Sequence, residues 1–98
     1  MTILLSTLNA RYSHASLGLR YLLANMGDLQ SQTHIQEFVI GAKTTDLLEK
    51  LLSYQKADEK LIIGFGVYIW NVEETTRLVA LIKQVAPEVI IILGGPEV

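Results

Sequence analysis

The spacing of apolar residues alternates along the chain between the period of a strand and the period of a helix. Short apolar runs typical of β-strands cover residues 2–8, 61–67 and 89–93, and residues 33–40 alternate as a strand with mixed faces. Between them, apolar residues recur at helical spacing over residues 16–26, 44–54 and 71–86. The order β-α-β-α-β-α-β predicts an α/β fold, because right-handed crossovers between such units build a parallel sheet with helices on both faces.

Single residues mark the ends of the predicted helices. Gly27 follows the first helical run at the position of a C-terminal stop. Asn71, with Glu74 three residues later, has the spacing of a capping box at the start of the third helix, and Pro87 ends that helix. The continuous apolar run at 89–93 that follows is typical of a parallel strand buried on both faces.

Composition limits the chain to one domain and excludes several kinds of function. With 8 basic and 10 acidic side chains among 98 residues and no basic run, it has no electrostatic footprint for nucleic acid. It has no cysteine, which excludes disulfides, thiolate zinc sites and iron–sulfur clusters held by this chain. The longest apolar stretch, residues 61–70, is far short of the roughly 20 residues of a membrane helix. We therefore expect a soluble, cytoplasmic domain.

The segment after the first strand is the first candidate site, because ligands of doubly wound sheets bind at the carboxyl ends of the strands. Its candidate binding residues are Asn9, Ala10, Arg11, Tyr12, Ser13 and His14. They form either a binding loop on a rigid scaffold or a solvated loop in which Ser13 or Ser16 caps the next helix. His14 has no second ligand at suitable spacing, so we predict neither a metal site nor a catalytic residue there.

Two later segments carry the other candidate residues. Tyr68, Trp70 and Asn71 follow the third strand, where the aromatic rings either pack in the core or form a wall for a large flat ligand. Gly64 and Gly66 within that strand indicate that something bulky approaches the backbone closely. The fourth strand is followed by Gly94, Gly95, Pro96 and Glu97. These glycines either leave the backbone bare for a ligand or form a tight turn.

Three motifs stand in order at the ends of predicted strands. They cover residues 7–18 (TLNARYSHASLG), 64–71 (GFGVYIWN) and 93–98 (LGGPEV). Together they resemble the N-terminal cobalamin-binding domain of cobalamin-dependent radical SAM proteins. The resemblance implies a three-layer, Rossmann-like (flavodoxin-type) sheet with strand order 2-1-3-4 and a fifth strand beyond it. Residues 1–98 would then be a cobalamin-binding domain that is incomplete at its C-terminus.

The resemblance also implies a second domain in the full-length parent. That radical SAM domain would hold a [4Fe–4S] cluster and S-adenosylmethionine through a Cys-x-x-x-Cys-x-x-Cys motif, for methyl transfer or a related radical reaction. Because this chain has no cysteine, it would supply only the corrinoid-binding half and would not be an enzyme alone.

Two departures from the wider cobalamin-binding superfamily concern how cobalt is held. That superfamily is known for Asp-x-His-x-x-Gly, whose histidine replaces the cofactor's own base below cobalt. Here Tyr12 stands at the Asp position before His14, so the carboxylate that would orient the imidazole is missing, and Gly18 comes one residue too late. A Ser-x-Leu motif expected after the third strand is replaced around residues 68–70, whereas the Gly-Gly pair is kept. The resemblance thus implies cobalamin held base-off by three loops, without a histidine ligand.

Other uses of such a fold remain as alternatives. A receiver domain would need acidic residues at the ends of the first and third strands, where Asn9 and Tyr68 stand. A flavodoxin-like FMN domain would need a phosphate loop rich in glycine and hydroxyls, which Arg11 and Tyr12 do not provide. A non-catalytic interaction module without a cofactor is the main alternative, and titration with hydroxocobalamin separates it from a cobalamin-binding domain.

The predicted fourth strand has a further implication for partners. Residues 89–93 carry charges only outside the run, at Glu88 and Glu97, whereas natural edge strands are protected by charges, proline or bulges. We therefore expect a homodimer through this exposed strand. The other expected partners are the corrinoid cofactor and the radical SAM domain of the same parent chain.

Overall fold

The computed structural model describes residues 1–9 and 17–95. Its strands are β1 (Thr2–Asn9), β2 (Thr33–Val39), β3 (Leu61–Gly66) and β4 (Ile90–Gly94). Its α-helices are α1 (Leu17–Ala24), α2 (Thr44–Leu52) and α3 (Val72–Val85), and a 3₁₀ helix (Gly27–Gln32) joins α1 to β2. The predicted order of strands and helices is confirmed, whereas the 3₁₀ helix was not predicted. No helix in the described ranges is long and apolar enough to cross a membrane.

The four strands form one parallel sheet in the order β2-β1-β3-β4. This order confirms the predicted Rossmann-like α/β sheet with order 2-1-3-4. The register places Thr7 of β1 beside Gly66 of β3, and Gly66 beside Gly94 of β4. The carboxyl ends of β1, β3 and β4 therefore meet at one edge of the sheet, where ligands of such folds bind.

Helices cover both faces of the sheet, as the third layer of the predicted architecture requires. The larger core lies under α2 and α3, and its fully buried side chains include Leu4, Leu8, Leu51, Ile63, Leu78 and Ile82. On the opposite face the buried cluster is much smaller and consists of Ile3, Leu5 and Leu19. Among the described residues α1 covers only part of that second face, and they leave apolar surface exposed beside β3 and β4.

Strand β4 is not buried on both faces, so the interpretation of its apolar run was wrong in this respect. Ile90, Ile92 and Leu93 are 41%, 56% and 44% exposed, whereas Ile91 packs against the larger core. An apolar run predicts a strand but does not reveal which neighbours cover it. Within the described residues β4 pairs only with β3, so its outer edge is unpaired. The pairing of two copies through this edge stays a prediction.

One buried hydroxyl on α3 has no hydrogen-bond partner among the described residues. This hydroxyl is Oγ1 of Thr75, a residue that is 2% exposed. We expect Thr75→Val to leave the free energy of unfolding unchanged or to raise it by about 1 kcal/mol, because valine has a similar shape and no polar atom to desolvate.

Denaturant unfolding checks this expectation, with Thr76→Val as a matched control. Thr76 lies on the exposed side of the same helix and its Oγ1 donates to the Val72 carbonyl at 2.7 Å. Its replacement should change the free energy of unfolding by no more than about 0.5 kcal/mol. A loss well above 1 kcal/mol for Thr75→Val alone would show that the buried hydroxyl makes a stabilising contact.

Candidate functional site

The candidate loops follow strands whose carboxyl ends lie side by side. Asn9 ends β1, Tyr68 lies just after β3, and Gly94 ends β4. The structure therefore brings parts of all three predicted loops to one edge of the sheet. Trp70, Asn71 and Gly95 are also described, whereas seven predicted site residues lie outside the described ranges: Ala10, Arg11, Tyr12, Ser13, His14, Pro96 and Glu97.

Asn71 fixes the backbone of the loop after β3. Its side chain is 1% exposed. The Nδ2 group donates to the carbonyls of Leu8 at 3.0 Å and Gly66 at 3.2 Å, and it lies 3.3 Å from Thr7 Oγ1. The Oδ1 atom accepts the Tyr68 N–H at 2.8 Å. One amide thus connects β1, the end of β3 and the loop.

The capping box predicted at Asn71 is therefore wrong. Its side chain makes no capping hydrogen bond to α3, because the amide is already used by β1, β3 and Tyr68. Its burial places it beneath the loop, where it positions the aromatic residues. Direct contact of Asn71 with a cofactor stays a prediction.

Tyr68 and Trp70 stack face to face at this edge. Their ring centroids are 4.6 Å apart and their planes differ by 1°. Trp70 is 49% exposed and neither ring belongs to the two core clusters, so core packing does not explain these residues. A Cβ atom on Gly66 would lie 3.3 Å from Tyr68 Cε2, so the glycine lets this ring lie close to the strand. The loop thus presents a flat aromatic surface next to bare backbone.

The two glycines after β4 have different roles. Gly95 has φ +116°, and a Cβ atom there would lie 2.4 Å from the Val67 carbonyl oxygen. The turn therefore requires glycine at this position. The Gly94 carbonyl accepts a hydrogen bond from the Val67 N–H at 2.7 Å, and a Cβ on Gly94 would meet no atom of the described residues within 4 Å apart from its chain neighbours. Gly94 thus leaves open space beside the aromatic loop.

An apolar groove of about 450 Å³ lies over the α1 face of the sheet and reaches this edge. Gly64, Gly66 and Gly94 contribute bare backbone to it, and Leu22 of α1 contributes a side wall. Among its described lining residues, Tyr68 alone carries a polar side-chain group. The groove is therefore suited to a flat, largely apolar ligand group that enters from the carboxyl edge.

Asn9 is held by a carboxylate on the neighbouring strand. Its Nδ2 group donates to Glu37 Oε1 at 3.1 Å, and Arg20 Nη1 donates to Glu37 Oε2 at 2.9 Å. Glu37 is only partly exposed and connects the end of β1 to α1. In the described ranges no group of three His, Asp or Glu side chains could hold a metal ion.

Two features of the site were not predicted from the sequence. One is the side of the groove that α1 forms, and the other is the carboxylate of Glu37. Leu22 and Met26 belong to the helical apolar pattern of residues 16–26, and that pattern did not show that Leu22 is 50% exposed or that both residues line the groove. The signal that could have located the groove was present in β3. Gly64 and Gly66 predicted a close approach to that strand, and they lie in the groove.

Comparison with known proteins agrees with this geometry. Residues 3–98 match the family model described as B12 binding domain, and this range includes every described strand and helix except the first residue of β1. No curated protein and no solved structure gives a significant match to the chain. A family match over nearly the whole chain, together with the confirmed sheet order, establishes the family. The chain therefore belongs to the B12 binding domain family, whose ligand is cobalamin.

Proposed function

We propose that this domain holds cobalamin base-off at the carboxyl edge of its sheet, for a radical SAM enzyme that performs methyl transfer or a related radical reaction. The observation that carries the proposal is the apolar groove that reaches this edge between Tyr68 and Gly94, in a chain of the B12 binding family. When bound, cobalamin supplies a cobalt atom that can carry a methyl group.

The groove fits one part of this cofactor. Cobalamin joins a flat corrin ring to a nucleotide tail that ends in an aromatic base, and a base that has left cobalt needs its own site. The groove volume of about 450 Å³ lies within the roughly 300–1,000 Å³ of small-molecule sites. Gly64 has no side chain and lines the groove, so a planar ring can lie against the sheet there.

The loops at the edge fit the corrin ring itself. The stacked rings of Tyr68 and Trp70 offer a wide aromatic surface, which suits a large flat ligand. Asn9 is oriented by Glu37 and can exchange hydrogen bonds with the amide groups at the corrin rim. We assign the remaining contacts to the other predicted loop residues: Ala10, Arg11, Tyr12, Ser13, His14, Gly95, Pro96 and Glu97.

The catalytic part of the reaction is assigned to another domain of the parent protein. This chain has no cysteine, so a radical SAM domain must hold the [4Fe–4S] cluster and S-adenosylmethionine. The three loop motifs that resemble those of radical SAM proteins support this assignment. We also propose that the protein is cytoplasmic.

Purification of the full-length parent with iron, sulfide and hydroxocobalamin under anaerobic conditions tests this assignment. We expect both corrinoid absorption and a reducible [4Fe–4S] cluster in the same protein. A parent that binds cobalamin but lacks a cluster would overturn the radical SAM assignment and leave the cobalamin site intact.

The imidazole of His14 is expected not to bind cobalt. Tyr12 stands where a carboxylate would orient that ring, so His14→Ala should leave the cob(II)alamin spectrum of the parent unchanged. Electron paramagnetic resonance measures this directly, because a coordinated imidazole adds nitrogen hyperfine splitting. Such splitting in the parent protein, if lost in His14→Ala, would contradict base-off binding without a histidine ligand.

A further inference from the structure

We propose that the groove selects corrinoids by their lower base and favours an apolar base, such as dimethylbenzimidazole, over a purine such as adenine. This inference depends on the proposed function, in which the base leaves cobalt and enters the groove. It adds a preference among corrinoids that follows from the chemistry of the lining residues.

Apart from Tyr68, the described side chains that line the groove cannot satisfy the polar edge of a purine. Leu19 and Leu22 come from α1, and Ile62 and Ile92 come from β3 and β4. None of these groups donates or accepts hydrogen bonds. Adenine carries an exocyclic amino group and ring nitrogens, and burial of such groups without partners is unfavourable. Dimethylbenzimidazole presents two methyl groups and a hydrocarbon ring instead.

The backbone beneath the groove is equally unable to help. Gly64 lies in the centre of the sheet, with Leu5 of β1 on one side and Ile92 of β4 on the other. Its N–H and C=O groups therefore serve the two strand ladders. In α1 the Leu22 carbonyl accepts the Asn25 N–H at 3.1 Å, and the Leu22 N–H lies beyond the first turn, where helix N–H groups bond within the helix. Bare glycine backbone thus provides space for a ring without providing hydrogen bonds to it.

The one polar group of the described lining lies at the carboxyl edge. Tyr68 is held there by its stack on Trp70 and by the bond from its N–H to Asn71 Oδ1. A hydroxyl fixed in that position suits the sugar or phosphate of the nucleotide tail. Within the described lining, the base beyond it would contact apolar side chains and strand backbone whose hydrogen-bonding groups already serve the sheet.

Binding of four corrinoids to the full chain tests the preference. The probes are cobalamin, the adenine-containing cobamide, the p-cresol-containing cobamide and cobinamide, which lacks the nucleotide tail. All four are compared in excess cyanide, which occupies both axial positions of cobalt, so that no base has to be released and the comparison carries no cost of base release. We expect the p-cresol cobamide to bind at least about tenfold more tightly than the adenine cobamide, which corresponds to about 1.4 kcal/mol.

Two variants separate the groove from the remainder of the site. Met26 lines the groove, so Met26→Gln, which has a similar size, should reduce the adenine penalty by supplying a hydrogen-bonding group. If circular dichroism shows that this variant is unfolded, Leu22→Gln on the half-exposed side of α1 replaces it. Tyr68→Phe should leave the ratio unchanged, because its hydroxyl is not assigned to the base.

The outcomes distinguish this inference from the proposed function. Failure of all four corrinoids to bind would overturn the proposed function and this inference with it. Equal binding of all four, including cobinamide, would retain a corrinoid site but overturn selection by the groove. Tighter binding of the adenine cobamide than of the p-cresol cobamide would also overturn it.

Discussion

Replacement of Asn71 by alanine is expected to lower the free energy of unfolding by about 3 kcal/mol, because a buried polar group that loses its partner costs about 1–3 kcal/mol. The amide of Asn71 is 1% exposed and bonds to both the Leu8 carbonyl and the Tyr68 N–H. Alanine removes both bonds and leaves a small void beneath the loop. The stack of Tyr68 on Trp70 should loosen as well, which near-ultraviolet circular dichroism detects.

Asn25→Ala provides a matched control for this loss. Asn25 is exposed, and its Nδ2 group donates to the Tyr21 carbonyl at 2.7 Å after the end of α1. Its replacement should change the free energy of unfolding by no more than about 0.5 kcal/mol. Denaturant unfolding of both variants decides the matter. Equal losses would mean that burial of the Asn71 amide adds nothing, contrary to the role assigned to it.

A valine at Gly94 is expected to weaken cobalamin binding by about 10- to 100-fold, since overpacking costs about 1–3 kcal/mol. Gly94 lines the groove at the carboxyl edge, and a Cβ atom there would meet no atom within 4 Å in the part of the chain that the structure describes, its chain neighbours aside. The added side chain would therefore fill space that we assign to the cofactor. Because β-branched residues suit strands, the fold itself should tolerate the change.

Ala57→Val is the control for added bulk. Ala57 is exposed in the turn before β3, at the opposite end of the sheet from the groove opening. It should leave cobalamin affinity unchanged. Isothermal titration calorimetry compares the two variants with the parent chain, and unfolding curves confirm that both are folded. An unchanged affinity in Gly94→Val would show that the cofactor does not use this opening.

The fold could be predicted from the sequence because its apolar periods are clear and local. The strand at residues 61–67 and the helix at 71–86 match β3 and α3 closely, and the strand order agrees with that of the resembling family. Burial of β4 could not be predicted in the same way. Exposure of Ile92 depends on which neighbours cover the sheet, and its own side chain carries no information about them.

Only part of the candidate site could be predicted from the sequence. The aromatic and glycine residues at the strand ends were found because parallel strands place their carboxyl ends together. The hydrogen bonds of the Asn71 side chain were not predicted, because the spacing of Asn71 and Glu74 matches a capping box. Its partners Thr7 and Leu8 lie more than sixty residues away in the sequence. The groove depends on the open face beside α1, which only the packing of the whole sheet defines.

Titration of the chain with hydroxocobalamin tests the central claim most directly. Trp70 is the only tryptophan in the sequence, and it lies beside the proposed corrin position, so its emission reports binding. We predict saturable quenching with one cobalamin per chain, together with a change in the corrin absorption spectrum that indicates release of the base. N-acetyl-tryptophanamide at the same cobalamin concentrations corrects for light absorbed by the corrinoid. No saturable quenching and no spectral change with the folded chain would contradict the account and favour an interaction module without a cofactor.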